Sequence, residues 1–351
     1  MDAPEFEIAG RKIGAGYPAY IIAELSANHN QDYDTAVALV HVAADAGADA
    51  IKLQTYTADT ITIDCDNEHF RIQKGTLWEG KVLHQLYQEA YTPWDWQPKL
   101  MAEAKARGIH CFSSPFDHTA VDFLEGLAVP AYKLASFELI DMPLIRKIAS
   151  TGKPLIMSTG MATLDEIDEA VRTARAHGAG PIALLRTNSG YPASPDEINL
   201  RCMANLADTF SVVSGLSDHT LGIAVPVAAV ALGASIIEKH FTLSRAVPGP
   251  DVAFSLEPSE FRAMVEAVRT AEQAVGRVQY GPTARELASR QFRRSLFVVK
   301  DVKKGEVFTS ENVRSIRPAA GLHTRHLDVV LGRRAARDAA KGTPMSWELL
   351  A

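Results

Sequence analysis

Short apolar runs recur along the chain, each followed by a polar or glycine-containing turn and then by a segment whose apolar positions repeat at helical spacing. The runs cover residues 20–23, 50–53, 110–113, 131–134, 155–158, 182–185, 212–214 and 235–239, which predicts eight strands. Segments 35–46, 96–107, 119–127, 164–177, 196–207 and 222–232 read as helices between them, and 259–275 follows the last strand. Such a series of strand–helix units predicts an α/β fold, a parallel (β/α)₈ TIM barrel.

Three segments depart from the repeat. Residues 6–8 and 12–13 flank Ala9-Gly10-Arg11 and read as a hairpin over 6–13 that could plug the bottom of the barrel. After the second strand, residues 57–91 form an insertion bearing Phe70, Trp78, Leu83, Leu86 and Tyr87, placed to cover a substrate at the barrel mouth. Beyond 1–276 the helical spacing stops: 277–289 is a polar linker, and 290–351 reads as a small domain of short strands and turns.

Composition agrees with a folded chain. At 351 residues, 47% hydrophobic and 22% charged, it has ample material for a core, which excludes disordered, collagen-like and coiled-coil classes. No basic segment followed by an apolar stretch opens the chain, and the most apolar run, 223–237, is too short to cross a bilayer and contains Pro226 and Gly233. Cys65, Cys111 and Cys202 form no pair with disulfide or zinc-site spacing, so reduced thiols and a cytoplasmic location are expected. The net charge of −6 is uneven: Arg277–Ala351 carries 15 basic and 7 acidic residues, so the small domain is basic and the barrel acidic. Without interleaved aromatics or a basic recognition helix, that excess points to an acidic partner or anionic substrate; neither nucleic acid nor membrane is an expected partner.

Barrels of this class do chemistry at the C-terminal ends of their strands. Read there, the chain offers Glu24, Asn28 and His29; Lys52 and Gln54; Ser113 and Ser114; Lys133, Ser136 and Glu138; Ser158, Thr159 and Gly160; Asn188, Ser189 and Tyr191; Ser217, Asp218 and His219; and Glu238, Lys239 and His240. Two lysines with several hydroxyls suit a small phosphorylated acid, ammonium groups giving charge and Ser hydroxyls directed donors. The alternative makes Lys52 and Lys133 structural ion-pair partners of Glu24 and Glu238. His219 and His240 end adjacent strands, where two imidazoles with open positions suit a catalytic divalent metal. Asp218 and Glu238 then orient the ligands or cap helices.

The ordered segments Ala23-Glu24-Leu25-Ser26-Ala27-Asn28-His29-Asn30, Lys52-Leu53-Gln54, Ser113-Ser114-Pro115-Phe116, Lys133-Leu134-Ala135-Ser136, Ser158-Thr159-Gly160-Met161, Gly215-Leu216-Ser217-Asp218-His219-Thr220 and Ile237-Glu238-Lys239-His240-Phe241-Thr242 resemble the sialic acid synthase family. Arg294-Ser295-Leu296 and Ser315-Ile316-Arg317-Pro318 look like the antifreeze-protein-like (SAF) domain appended to these synthases. Segments 86–96 and 251–258 look most like the pseudaminic acid synthase branch.

The resemblance implies condensation of phosphoenolpyruvate with 2,4-diacetamido-2,4,6-trideoxy-L-altrose, with N-acetylneuraminate or legionaminate synthesis as alternatives. It implies that Lys52, Ser114, Lys133, Ser136, Ser158, Ser217 and either Asn188 or Ser189 hold phosphoenolpyruvate, and that His219 and His240 hold Mn²⁺ or Mg²⁺. The metal would polarise the sugar aldehyde, with Glu24 orienting water or moving a proton. Gln54, Glu138, Tyr191 and Asp251 would meet the sugar, and Arg317 would enter the neighbouring subunit's site in a domain-swapped homodimer. Asp251 could equally cap the turn made by Pro248-Gly249-Pro250, and Trp94 and Trp96 read as core or lid packing. The pattern departs from the family's at Thr187-Asn188-Ser189-Gly190, which leaves two candidates for one phosphate ligand, and at Ala319-Ala320-Gly321, where the contact to an acyl group would change. A Schiff-base sugar-acid aldolase or lyase on Lys133 or Lys52 is the competing enzyme class, and a non-catalytic sugar-binding protein the competing non-enzyme.

Overall fold

A computed structural model describes residues 4–73 and 78–351, and divides the chain into two compact units, Met1–Gly276 and Arg277–Ala351. Residues 74–77 of the expected insertion lie outside the described residues. In the first unit, β1 (Glu5–Ile8) and β2 (Arg11–Gly14) form an antiparallel hairpin. Eight parallel strands then close into a barrel: β3 (Tyr20–Glu24), β4 (Ala50–Thr55), β5 (His110–Pro115), β6 (Tyr132–Leu134), β7 (Leu155–Ser158), β8 (Ile182–Thr187), β9 (Val213–Asp218) and β10 (Ile236–His240), which pairs back onto β3.

The helices between strands are α1 (Tyr33–Asp45), α2 (Ala58–Ile61), α3 (Leu83–Ala90), α4 (Gln97–Ala106), α5 (His118–Gly126), α6 (Met142–Ala149), α7 (Leu164–Ala176), α8 (Cys202–Phe210) and α9 (Ala224–Ala231), with α10 (Pro258–Val275) after β10. Their starts follow local chemistry. Asp32, Asp117 and Asp141 cap α1, α5 and α6 by accepting from backbone N–H groups, and Thr163 with Glu166 forms a reciprocal cap on α7. Helix α6 is absent from the periodicity reading; it has eight residues and a proline, Pro143, in its first turn. The helix expected over 196–207 begins only at Cys202, because 195–197 is a short 3₁₀ turn ahead of it.

Period two sorts the side chains. On the inward face the lower positions are apolar (Tyr20, Ile22, Ala50, Phe112, Ala131, Ile156, Ala183, Leu185, Val213, Ile236), and Phe6, Ile8 and Ile13 of the hairpin pack against them. The hairpin therefore plugs the barrel floor. Two or four residues further along the same face stand Glu24, Lys52, Gln54, Ser114, Lys133, Ser158, Ser217, Glu238 and His240. The outward residues pack under the helices in two apolar clusters. Gly215 is needed for close approach, since a Cβ there would stand 2.9 Å from Leu185 Cδ2 and collide with the carbonyl of Ile236.

The second unit contains α11 (Ala284–Leu287), β11 (Ser295–Val298), β12 (Val313–Ile316) and α12 (Leu327–Val330) around a core of Leu296, Val298, Val302, Phe308, Val313, Val330, Ala335 and Met345. Strands β11 and β12 pair antiparallel, setting Ser295 opposite Ile316. The Ser295 hydroxyl donates to the carbonyl of Pro318 at 2.6 Å and accepts from the N–H groups of Ala320 and Gly321. One side chain thus pins the segment that follows Arg317. Among the described residues, no helix is long and apolar enough to cross a membrane.

Candidate active site

A cavity of about 550 Å³ opens where the barrel strands end. Its floor is a chain of buried charges contributed by β3, β4, β6 and β10. The Lys52 ammonium contacts the Glu24 carboxylate, lies 3.8 Å from Glu238 Oε1 and donates to Ser114 Oγ at 3.4 Å. Lys133 Nζ donates to Ser158 Oγ at 2.7 Å and stands 3.4 Å from the same Glu238 oxygen, which also accepts from Ser217 Oγ at 3.0 Å. Glu238 thus sits between the two ammonium groups.

Burial and neighbouring charge set the protonation states. Burial pulls Lys133 down to about 8 and pushes Glu24 up to about 7, Lys52 opposing the rise in Glu24. For Lys52, Glu238 and Glu24 outweigh burial and hold its pKa above the ordinary lysine value; for Glu238, Lys133 and Lys52 outweigh burial and hold it low. Both ion pairs anticipated as the structural alternative exist, but they do not exhaust the floor. Glu238 Oε2, Ser189 Oγ, Glu138 Oε2 and His240 Nδ1 are buried without a hydrogen-bond partner, a state that folded proteins seldom leave uncompensated.

Just past β7, Gly160 lets the backbone pass between two hydroxyls: its N–H donates to Ser136 Oγ at 3.2 Å, and a Cβ would stand 2.7 Å from that oxygen and collide with Ser189 Oγ. After β8 the two candidates point differently. Asn188 turns its side chain to Glu197 and to the N–H of Gly190, away from the hydroxyls, so it is Ser189 that faces them. Asn188 acts through its backbone, its carbonyl accepting from His219 Nδ1 at 2.7 Å.

That bond fixes the tautomer of His219 and leaves Nε2 with its lone pair. The His219 and His240 rings lie 5.2 Å apart, and burial lowers both, His219 to about 4 and His240 well below the ordinary value with the help of His219. Two neutral nitrogen donors side by side meet the needs of a divalent cation with open positions, and no cluster of three His, Cys, Asp or Glu side chains suited to a metal occurs among the described residues. Tyr191 stacks at 4.4 Å on His219, and Phe254 backs both imidazoles.

Toward the mouth, Gln54 Nε2 donates to Glu24 Oε1 at 3.0 Å and to Ser26 Oγ at 3.1 Å, and Ser26 in turn donates to Asp251. Burial raises Asp251 against that bond, and raises Glu138 to about 7. Ser26 is not singled out by the sequence as a site residue, and Glu238 is expected only as an orienting group or ion-pair partner, not as the residue between the two lysines. The two-residue alternation from Ile236 sends Glu238 inward, whereas Ser26 follows the strand in a left-handed conformation (φ 45°) that no pattern announces.

Other expected groups are placed elsewhere. Asn28 donates to the carbonyl of Phe241 and to Ser255, His29 pairs with Thr92, and Ser113 pairs with Thr55, all as internal ties. Asp218 and Lys239 face out of the barrel and pair with each other. Not every polar strand-end residue reaches the mouth, because alternate residues of a strand point to opposite faces. Arg317 belongs to the second unit, where it is exposed and makes no side-chain hydrogen bond or ion pair to described residues.

With this geometry in view, the comparisons are specific. A model of the NeuB family matches residues 39–280 and a model of the SAF domain matches 293–351. The pseudaminic acid synthase of Helicobacter pylori is 43% identical over 94% of this chain and 97% of its own length. That of Campylobacter jejuni is 44% identical over 91% and 93%. A crystal structure of N-acetylneuraminic acid synthetase from Leptospira borgpetersenii superposes with a TM-score of 0.73 at 30% identity, over 82% of this chain and 95% of that one.

Proposed function

The chain belongs to the NeuB family, and from that premise we propose the pseudaminic acid synthase reaction as its activity. Phosphoenolpyruvate and 2,4-diacetamido-2,4,6-trideoxy-L-altrose condense with water to pseudaminic acid and phosphate, a transferase reaction that forms a carbon–carbon bond. The observation that carries the reading is the Lys52–Glu238–Lys133 floor with unsatisfied buried hydroxyl and carboxylate oxygens, next to 43–44% identity over more than nine-tenths of the chain with synthases of that name.

Lys52, Lys133, Ser114, Ser136, Ser158, Ser189 and Ser217 hold phosphoenolpyruvate, giving its phosphate and carboxylate fixed charge and donors. Carbon C3 of the enol attacks the open-chain aldehyde, water adds to the resulting cation at C2, and phosphate leaves from C2. Glu24, titrating about 7, can both accept and return a proton near neutrality, and Gln54 and the Ser26 N–H keep one of its oxygens fixed. Tyr191, Gln54, Glu138 and Asp251 face the sugar, the last two as groups that burial makes easy to protonate. His219 and His240 would hold Mn²⁺ or Mg²⁺, which supplies Lewis-acid polarisation of the aldehyde oxygen. Arg317, exposed and unpaired, would complete the site of a second copy in a domain-swapped homodimer, and the reduced thiols suit a cytoplasmic enzyme.

The test is incubation with phosphoenolpyruvate, Mn²⁺ and, in parallel, the altrose derivative and N-acetylmannosamine, reading phosphate release and product mass. Turnover of the altrose derivative supports the reading. Turnover of N-acetylmannosamine alone keeps the family and sinks the branch. The low pKa of Lys133 also favours a Schiff-base lyase as second reading; trapping of a pyruvate adduct by borohydride would select it.

A further inference from the structure

The cavity has two chemically opposed faces. Its floor is charged, but the chain between β4 and α4 lines it with Ile61, Ile72, Leu83, Leu86 and Ala90. Among the described residues of that segment, the wall adds three side-chain polar atoms, the hydroxyls of Tyr56 and Tyr87 and the indole N–H of Trp78, and the last already donates to the carbonyl of Pro250 at 3.1 Å. Leu83 and Ile61 are half-buried, so their side chains are held in place yet border the open volume.

We infer that this wall determines which acceptor is used, by receiving the C6 end of the sugar and admitting a methyl there in preference to a hydroxymethyl. The inference rests on the reaction proposed above. Carbon C1 of the acceptor must meet phosphoenolpyruvate over the two lysines at the strand ends. Five carbon–carbon bonds then carry C6 away from the floor, into the layer above it where the residues that follow β4 supply the most aliphatic side chains. A terminal hydroxyl delivered there gives up water for aliphatic carbon, while a methyl removes more of that carbon from water.

The discriminating measurement is kcat/KM for 2,4-diacetamido-2,4,6-trideoxy-L-altrose and for its 6-hydroxy counterpart, on the full chain with Mn²⁺. The unaltered protein should favour the 6-deoxy sugar by about a hundredfold, the scale on which an apolar pocket rejects an added hydroxyl. Leu83→Asn and, separately, Ile61→Ser should narrow the ratio tenfold or more while leaving KM for phosphoenolpyruvate unchanged. Leu232→Ser, exposed at the C-terminal end of α9 and absent from the cavity lining, is the control. Equal losses on both sugars, or a ratio unmoved in both folded variants, would overturn the inference while leaving the reaction standing. Failure of the unaltered protein to use either sugar would remove the reaction itself and the inference with it.

Discussion

Glu238 and Lys239 are neighbours on β10, yet the pleat sends one into the barrel and the other beneath the helices, and the two are satisfied in opposite ways. Lys239 pairs with Asp218 and with the carbonyl of Thr220, and Asp218 also accepts from the Thr220 N–H and hydroxyl. Every charge of that outer pair has its partner inside the chain. On the inner side, Glu238 holds two lysines with one oxygen and leaves the other without a hydrogen bond, and Ser189 and His240 are left likewise. Burial alone does not separate the clusters, since both are almost fully enclosed. What separates them is closure of the hydrogen-bond network: the outer one is closed within the chain, and the inner one is open, as the proposed ligand-binding role requires.

The comparison can be broken most directly by removing one lysine from each side. Lys133→Met should cut kcat/KM by about 10³-fold, the scale of losing a preorganised donor, with little loss of stability in denaturant titration. Unfolding of that variant would sink the distinction. Lys239→Met should do the reverse by leaving Asp218 buried and unpaired, costing about 3–5 kcal/mol; the double variant Asp218→Asn with Lys239→Met should recover most of it. Ser189→Ala should raise KM for phosphoenolpyruvate about tenfold, the scale of one hydrogen bond to a charged group. Asn188→Ala should leave it near unity, because only the Asn188 backbone reaches the site.

The smallest effect is in pH. The protonated form of Lys133 is the one that attracts an anion, and it titrates about 8. Values of kcat/KM for phosphoenolpyruvate, which report the free enzyme, should therefore fall as pH rises through that value, by about fourfold between pH 7 and 8.5. Lys133→Met should lose this limb. A flat profile in the unaltered protein would instead assign anion binding to Lys52, whose pKa is raised.

Much of this was legible in the chain because apolar alternation and strand length report directly on a barrel whose two faces are buried differently. The residues of the floor follow from the same alternation, as Tyr20, Ile22 and Glu24 illustrate on β3. Legibility fails where the backbone leaves the strand. Nothing in Thr187-Asn188-Ser189-Gly190 says which side chain turns inward, because the residues past β8 no longer alternate. It also fails where a list of polar strand-end residues ignores the pleat, as with Asp218 and Lys239. In the second unit the named strands have four residues each, too few for a period to emerge, so motifs carried the assignment there.

The plug at the barrel floor has a consequence in time. Phe6, Ile8 and Ile13 leave the ribosome before any of their partners, and those partners come from all eight strands or the residues beside them, the last at Ile236. At about 5–20 residues per second of synthesis, the hairpin waits tens of seconds for a seat that exists only once the ring has closed. Its docking is therefore a late event in biogenesis, and a nascent chain halted before β10 would expose these three apolar residues.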